Sequence, residues 1–156
     1  MKKLITTLAV LCATLPLCAD TVVWNVSSGD VNTAANWNPA QVPGSSDAAH
    51  VHIGSASMST DFSPGALWIA SAADGNVADF TQTSGALTVG ASDGLVIGFN
   101  GSTYGRYFMK DGSLSIPGGQ PQFGGYVYGL LRMTGGTVSS SAGWPALGHS
   151  AYGSIS

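Results

Sequence analysis

A motif that returns three times in the second half of the chain limits what the chain can fold into. It reads FTQTSGALTV at 80–89, YFMKDGSLSI at 107–116 and LRMTGGTVSS at 131–140. Each copy is a short alternating run, a turn centred on Gly85, Gly112 or Gly136, and a second short run. Behind each copy come an apolar residue plus glycine (Ile97-Gly98, Phe123-Gly124, Leu147-Gly148) and then Tyr-Gly (Tyr104-Gly105, Tyr128-Gly129, Tyr152-Gly153). A period near two dozen residues, built of strands and glycine turns, predicts stacked coils.

Aligning the copies gives columns. Phe80, Tyr107 and Leu131 form one; Gln82, Met109 and Met133 a second; Leu87, Leu114 and Val138 a third; Ile69, Ile97, Phe123 and Leu147 a fourth. Alternate residues of a strand point to the same side, so these columns predict a narrow continuous core. Gly98, Gly124 and Gly148 are predicted to stack at a corner with positive φ. A degenerate first copy starts at Ala66, with Ile69-Ala70 in the place of Ile97-Gly98 and Val77-Ala78 in the place of Tyr104-Gly105. The surplus of three residues between the first two full copies falls at turns, where insertions are tolerated. The expected fold is all-β, a right-handed β-helix-like β-solenoid with coils of about 24 residues. The last three residues align with the start of another strand, so the chain is expected to continue into further repeats as a truncated piece of a longer protein.

The N-terminus has a different character. Met1-Lys2-Lys3 precedes an apolar stretch that runs to Leu17, followed by Cys18-Ala19-Asp20. This pattern predicts a secretory signal peptide over 1–19, cut after Ala19. The apolar stretch is shorter than the roughly 20 residues a membrane span needs. Leucine precedes both Cys12 and Cys18, where a lipid-anchor signal needs a small residue. Export implies a secreted or cell-surface location.

Removing the leader removes both cysteines, and with them disulfides and thiolate chemistry. It leaves Arg106, Lys110 and Arg132 as the basic side chains against eight aspartates, a net charge of −5 (3 − 8). Nucleic acid is therefore not an expected partner, because there is no broad basic patch to release counterions. Composition alone, with 22 glycines and 8% charged residues, would read as disorder, but the regular apolar columns oppose that. Recurrent glycine and the lack of a 3.6-residue apolar stripe disfavour helix.

Between leader and repeats, 20–65 is expected to form an N-terminal β cap, with strands at 21–26 and 48–53 and with Trp24 and Trp37 plugging the open end of the core. Its residues Trp24, Gly29-Asp30, Ala34-Ala35-Asn36-Trp37, Val42-Pro43-Gly44 and Asp47 carry a resemblance. In that order they are similar to the opening of large secreted bacterial β-helical proteins. These include autotransporter passengers, autotransporter-associated β-strand repeat proteins and sorting-tagged exported proteins. The resemblance covers about thirty residues, and the glycine-punctuated repeats look like the body of such proteins. It implies adhesin-like or surface-layer roles, and no single activity.

Several residues carry candidate chemistry. His50 and His52 are expected to share one strand face, about 7 Å apart, and with Asp47 nearby are candidate divalent-metal ligands. The ordinary reading is a solvent-facing strand with Ala49, Val51 and Ile53 inside, and no cofactor is expected. His149 falls at a variable outer position of the repeat. Asp74, Asp79, Asp93 and Asp111 read mostly as turn residues. As acid–base pairs, or as calcium ligands beside Arg106, Lys110 or Arg132, they would fit a polysaccharide-degrading lyase or hydrolase on a β-helix. The cluster of acids around one base that such chemistry needs is not visible. The columns Tyr104, Tyr128 and Tyr152, with Trp144, are candidate glycan-stacking rings. Stacked aromatics also hold coils in register. The expected function is thus a non-catalytic structural or adhesive segment with extracellular glycans or cell-surface material as partners. The alternatives are a polysaccharide-degrading enzyme and a passive glycan-binding module.

Overall fold

The computed structural model describes residues 19–72, 75–90, 94–99, 104–124, 127–141, 146–147 and 153–156. The expected leader therefore falls almost wholly outside the described residues, as do Asp74, Asp93, Trp144, His149 and Tyr152.

The first pass of the chain contains β1 (Thr21–Trp24), β2 (Ser28–Asp30), a 3-10 turn at Ala34–Asn36 and β3 (Trp37–Asn38). Next come β4 (Ala48–Val51) and β5 (Gly54–Met58), then β6 (Ala66–Ile69), β7 (Val77–Gln82) and β8 (Ala86–Thr88). The full repeats follow as β9 (Leu95–Ile97), β10 (Tyr104–Met109) and β11 (Ser113–Ile116), then β12 (Gln122–Phe123), β13 (Gly129–Met133) and β14 (Thr137–Ser140). β15 (Ala146–Leu147) and β16 (Gly153–Ile155) follow them.

Among the described residues these strands form three sheets. A seven-stranded sheet runs β15-β12-β9-β6-β4-β1-β3, a six-stranded sheet β16-β13-β10-β7-β5-β2, and a three-stranded sheet β14-β11-β8. Neighbours are parallel except for β3, which lies antiparallel to β1. Each strand thus pairs with its counterpart one coil away, which makes the protein a β-solenoid of about four turns.

The columns hold in the register. Phe80 pairs with Tyr107 and Tyr107 with Leu131; Gln82 with Met109 and Met109 with Met133. Leu87 pairs with Leu114, and Ile69 with Ile97 and on to Phe123. The inward members are almost completely buried, and Phe80 meets Tyr107 edge-on with ring centroids 5.2 Å apart. Burying each large apolar side chain is worth roughly 1.5–3 kcal/mol. The corner expectation holds at Gly98 and Gly124, with φ of +74° and +70°, and Gly148 lies outside the described residues. A Cβ on Gly98 would stand 2.5 Å from the carbonyl oxygen of Tyr128 on the next coil. Ala70, at the same corner of the degenerate coil, takes φ +59° with a side chain in place.

Three expectations change. Parallel stacking does not begin at Ala66: β1 pairs with β4, β4 with β6, β2 with β5 and β5 with β7, so the ladder extends through the segment expected to be a separate cap. Ile53 is not an inward residue but 44% exposed, because β4 ends at Val51 and the chain turns the corner into β5 at Gly54. Val138 is 42% exposed although its column partner Leu114 is buried, because β14 is the edge strand of the smallest sheet.

Trp24 and Trp37 close the N-terminal end of the core as expected. Both are buried, with rings edge-to-face at 5.1 Å, and Trp37 stacks over Phe62 at 6.2 Å. The indole N–H of Trp37 donates to the Val31 carbonyl at 2.8 Å.

Candidate functional site

The outer face of the six-stranded sheet carries the residues most suited to contact a ligand. On β10 the inward set is Gly105, Tyr107 and Met109, so Tyr104, Arg106 and Phe108 point out. The parallel register then places Leu130 beside Arg106 and Arg132 beside Phe108. On the other side it places Asp79 beside Arg106 and Thr81 beside Phe108.

Two candidate glycan-stacking residues are found here. Tyr104 is 52% exposed and Tyr128 37%, with ring centroids 5.9 Å apart and planes tilted by 51°. They form an outward row one coil apart, continued downward by the exposed Val77.

Beside the tyrosines lies a cation that is already engaged. Arg106 donates from Nε to Asp79 Oδ1 at 2.6 Å and from Nη2 to Asp79 Oδ2 at 2.8 Å. The same guanidinium sits over the Phe108 ring, 5.6 Å from its centroid. The hydrogen bond to Asp79 raises the arginine above its ordinary value, against the opposing effect of burial. An arginine held more firmly protonated is a poorer proton acceptor, so its geometry suits positioning rather than base chemistry. Asp79, which unlike Asp74, Asp93 and Asp111 is not followed by glycine, lies within β7.

Past Phe108 the surface opens into a groove of about 320 Å³ lined by Thr81, Phe108, Met109, Lys110, Arg132 and Thr134. Lys110 and Arg132 are exposed. The basic residues Arg106, Lys110 and Arg132 thus all belong to this one side of the solenoid. From the sequence, Arg106 and Lys110 flank one strand, but the approach of Arg132 to them is not read there. The signal was available: residues one coil apart share a column, and residue 132 follows 108 by the 24 positions that separate Tyr104 from Tyr128.

The histidine pair is arranged differently. His50 lies flat on Trp68 with centroids 4.8 Å apart and planes at 20°, and its Nδ1 is 3.2 Å from the Ser71 hydroxyl. Burial, with a smaller effect from His52, lowers its pKa below the ordinary histidine value. His52 falls beyond the end of β4 and lines a separate groove of about 350 Å³ with Asn38 and Ile53. The Asp47 carboxylate clamps the preceding loop, accepting the Gly44 N–H at 2.8 Å and the Asp20 N–H at 3.2 Å. His50, His52 and Asp47 are therefore not gathered, and among the described residues no group of three or more His, Cys, Asp or Glu is placed to hold a metal ion. Among the described residues, too, no helix is long and apolar enough to cross a membrane.

One buried polar cluster was read from the sequence only as a core position. Gln82 is fully buried; its amide donates to the carbonyls of Gly85 at 2.8 Å and Ser113 at 3.1 Å, and its Oε1 accepts the Tyr107 hydroxyl. Burial pushes the Tyr107 phenol above its ordinary value. All three hydrogen-bonding capacities of the amide used here point into the core, which assigns the cluster to coil cohesion.

Compared with known proteins, the chain matches no family model, no curated protein and no solved structure.

Proposed function

We propose that this protein is an exported structural or adhesive β-solenoid segment that contacts extracellular glycans or other cell-surface material without transforming them. The observation that carries the reading is the outer face of the six-stranded sheet, where Tyr104 and Tyr128 form an exposed aromatic row on successive coils beside Arg106 and Phe108. Aromatic faces suit the apolar faces of sugar rings, and a stacked solenoid repeats them along its axis. Asp79 and Arg106, the one acid–base pair found on that face among the described residues, are satisfied by each other. The leader-like N-terminus supports a secreted or cell-surface location, and the opening motif supports a place among autotransporter-like β-helical proteins.

A glycan array probed with the native protein and with Tyr128→Ala tests the proposal. At least one glycan class is expected to be retained, and Tyr128→Ala is expected to weaken it by about 1 kcal/mol, roughly fivefold, with an unchanged circular dichroism spectrum. Release of unsaturated sugars from an acidic polysaccharide would replace the reading with an enzyme. Retention of no glycan at all would leave the face without the proposed role.

A further inference from the structure

We propose that the groove between β10 and β13 is a binding site for an acidic polysaccharide, in which Lys110 and Arg132 take the carboxylate or sulfate of a sugar unit and Phe108 takes its apolar face. The proposal rests on the adhesive reading above and deepens it, by naming the chemistry of the ligand and a second contact region beside the tyrosine row.

Charge placement is the first argument. Outside the leader region the chain has three basic side chains against eight aspartates, yet all three basic residues stand on one side of the solenoid. Arg106 is neutralised by Asp79 in a two-point contact. Lys110 and Arg132 are exposed, and among the described residues neither has an ion-pair partner. The nearest carboxylate in sequence, Asp111, accepts the Gly112 backbone N–H at 2.7 Å and keeps its charge, but it is not among the residues that line the groove. An acidic protein that concentrates its unpaired cations at one groove sets a local field opposite to its net charge, which attracts an anion there and repels it elsewhere.

Shape and preorganisation are the second argument. The groove's volume of about 320 Å³ is at the lower end of small-ligand sites, the scale of one or two sugar rings. Phe108 forms part of its wall and is steadied by the Arg106 guanidinium over its ring, which Asp79 in turn holds in place. Asp79 and Arg106 are thus positioning residues for Phe108. Thr81 and Thr134 add hydroxyls to the lining, suited to hydrogen bonds with sugar hydroxyls.

A polysaccharide is favoured over a nucleic acid because two free cations neutralise few phosphates, and the remaining acidic surface would oppose the dense charge of a duplex. Along the solenoid, the tyrosine row and the groove belong to the same outward face of β10 and β13. A chain of sugar units lying on that face can therefore meet Tyr104, Tyr128 and Phe108 in turn.

The test is affinity electrophoresis of the purified protein through gels containing polygalacturonate, chondroitin sulfate, neutral dextran or double-stranded DNA, at low and at high salt. The expected result is retardation by polygalacturonate, chondroitin sulfate or both, lost at high salt, with little retardation by dextran or DNA. The carboxylated and sulfated gels tell which anion the site takes. Lys110→Ala and Arg132→Ala should each weaken retention about tenfold, since a hydrogen bond to a charged group is at stake. Both residues are exposed, so these variants are expected to fold, with thermal melting as the control. Arg132→Lys should restore part of the loss, and Asp79→Asn should change affinity less than either alanine variant. Retention by dextran that is indifferent to salt and to Arg132→Ala would overturn the site while leaving the adhesive reading intact. Retention by DNA equal to that by the acidic polysaccharides would overturn the ligand class. Failure of every polysaccharide would overturn both.

Discussion

Replacing Gln82 by methionine puts the buried polar cluster to a quantitative test. The register supplies the reason for methionine: Gln82, Met109 and Met133 occupy one column, so the site lies in a row that already holds that shape. Volume is nearly conserved, and the perturbation is mainly the loss of hydrogen bonds. Three go: two from the amide to the carbonyls of Gly85 and Ser113, and one accepted from the Tyr107 hydroxyl. Each neutral bond is worth about 0.5–1.5 kcal/mol net. Gly85 keeps the bond its carbonyl receives from the Ser113 N–H at 3.0 Å, so it is not orphaned. The Tyr107 hydroxyl is left in a fully buried site with no partner, which costs about 1–3 kcal/mol. Gln82→Met should therefore destabilise the protein by about 3–5 kcal/mol after a small gain from the apolar side chain.

The partner substitution, Tyr107→Phe, removes one bond and orphans only Gln82 Oε1, for a cost of about 1–2 kcal/mol. The decisive quantity is the double variant. With both groups apolar, nothing is left unsatisfied between them, so the double variant should be about 1–2 kcal/mol more stable than the sum of the single losses predicts. Urea unfolding followed by far-ultraviolet circular dichroism and by tryptophan fluorescence measures all four proteins. Coincident transitions are required first, because stacked repeats can lose two-state behaviour. Strict additivity, or a Tyr107→Phe cost under about 0.5 kcal/mol, would show that the buried contact is not a working hydrogen bond and would refute the reasoning.

Two further outcomes are expected. Gly98→Ala should destabilise by about 2–5 kcal/mol, combining left-handed strain with a Cβ driven against the Tyr128 backbone, whereas Ala70→Gly at the same corner should stay within about 1 kcal/mol, since relief of strain is offset by unfolded-state entropy and a lost methyl. Equal costs in urea unfolding would contradict this. His50 has a folded pKa below its unfolded value, so folding favours the neutral ring: its contribution is complete above the unfolded pKa near 6.5 and is lost as pH falls below that toward the depressed folded value. The slope should not exceed about 1.4 kcal/mol per pH unit, and His50→Gln should flatten it as pH falls below about 6.5; an unchanged slope would assign the effect elsewhere.

What the sequence disclosed, and what it hid, follows from how a solenoid is specified. Inward positions must match their neighbours one coil above and below, so Phe80, Tyr107 and Leu131, or Ile69, Ile97 and Phe123, announce themselves by recurring at the coil length. The coils between 20 and 65 stack just as regularly, yet they share no motif with the rest. Val22, Ala49 and Leu67 line one column with three different residues, and the spacing shrinks where the chain makes shorter connections. Their continuity with the repeats is therefore illegible in the sequence. Gln82 was visible only as a member of a column, because nothing in a single sequence states that Tyr107, twenty-five positions on, will offer it a hydroxyl.

Outward positions obey no such matching rule, and that freedom is where binding chemistry can be placed. The row that runs through Asp79, Arg106 and Leu130 changes from acid to base to apolar in three coils, and its neighbour runs Thr81, Phe108, Arg132. Neither row is required by packing, since the buried residues between them already hold the coils together. The tyrosine row is the exception: it recurs outside the core, at positions where Val77 shows that another side chain is accepted. Recurrence on an exposed face has two physical explanations, ring-on-ring register or a ligand that repeats along the axis. They separate on stability. If Tyr104 and Tyr128 chiefly hold register, Tyr128→Ala should lose the roughly 0.5–1.5 kcal/mol of an aromatic pair from folding and leave glycan retention unchanged. If they chiefly form a platform, the loss should appear in binding instead, and the half-exposed rings leave room for that second account.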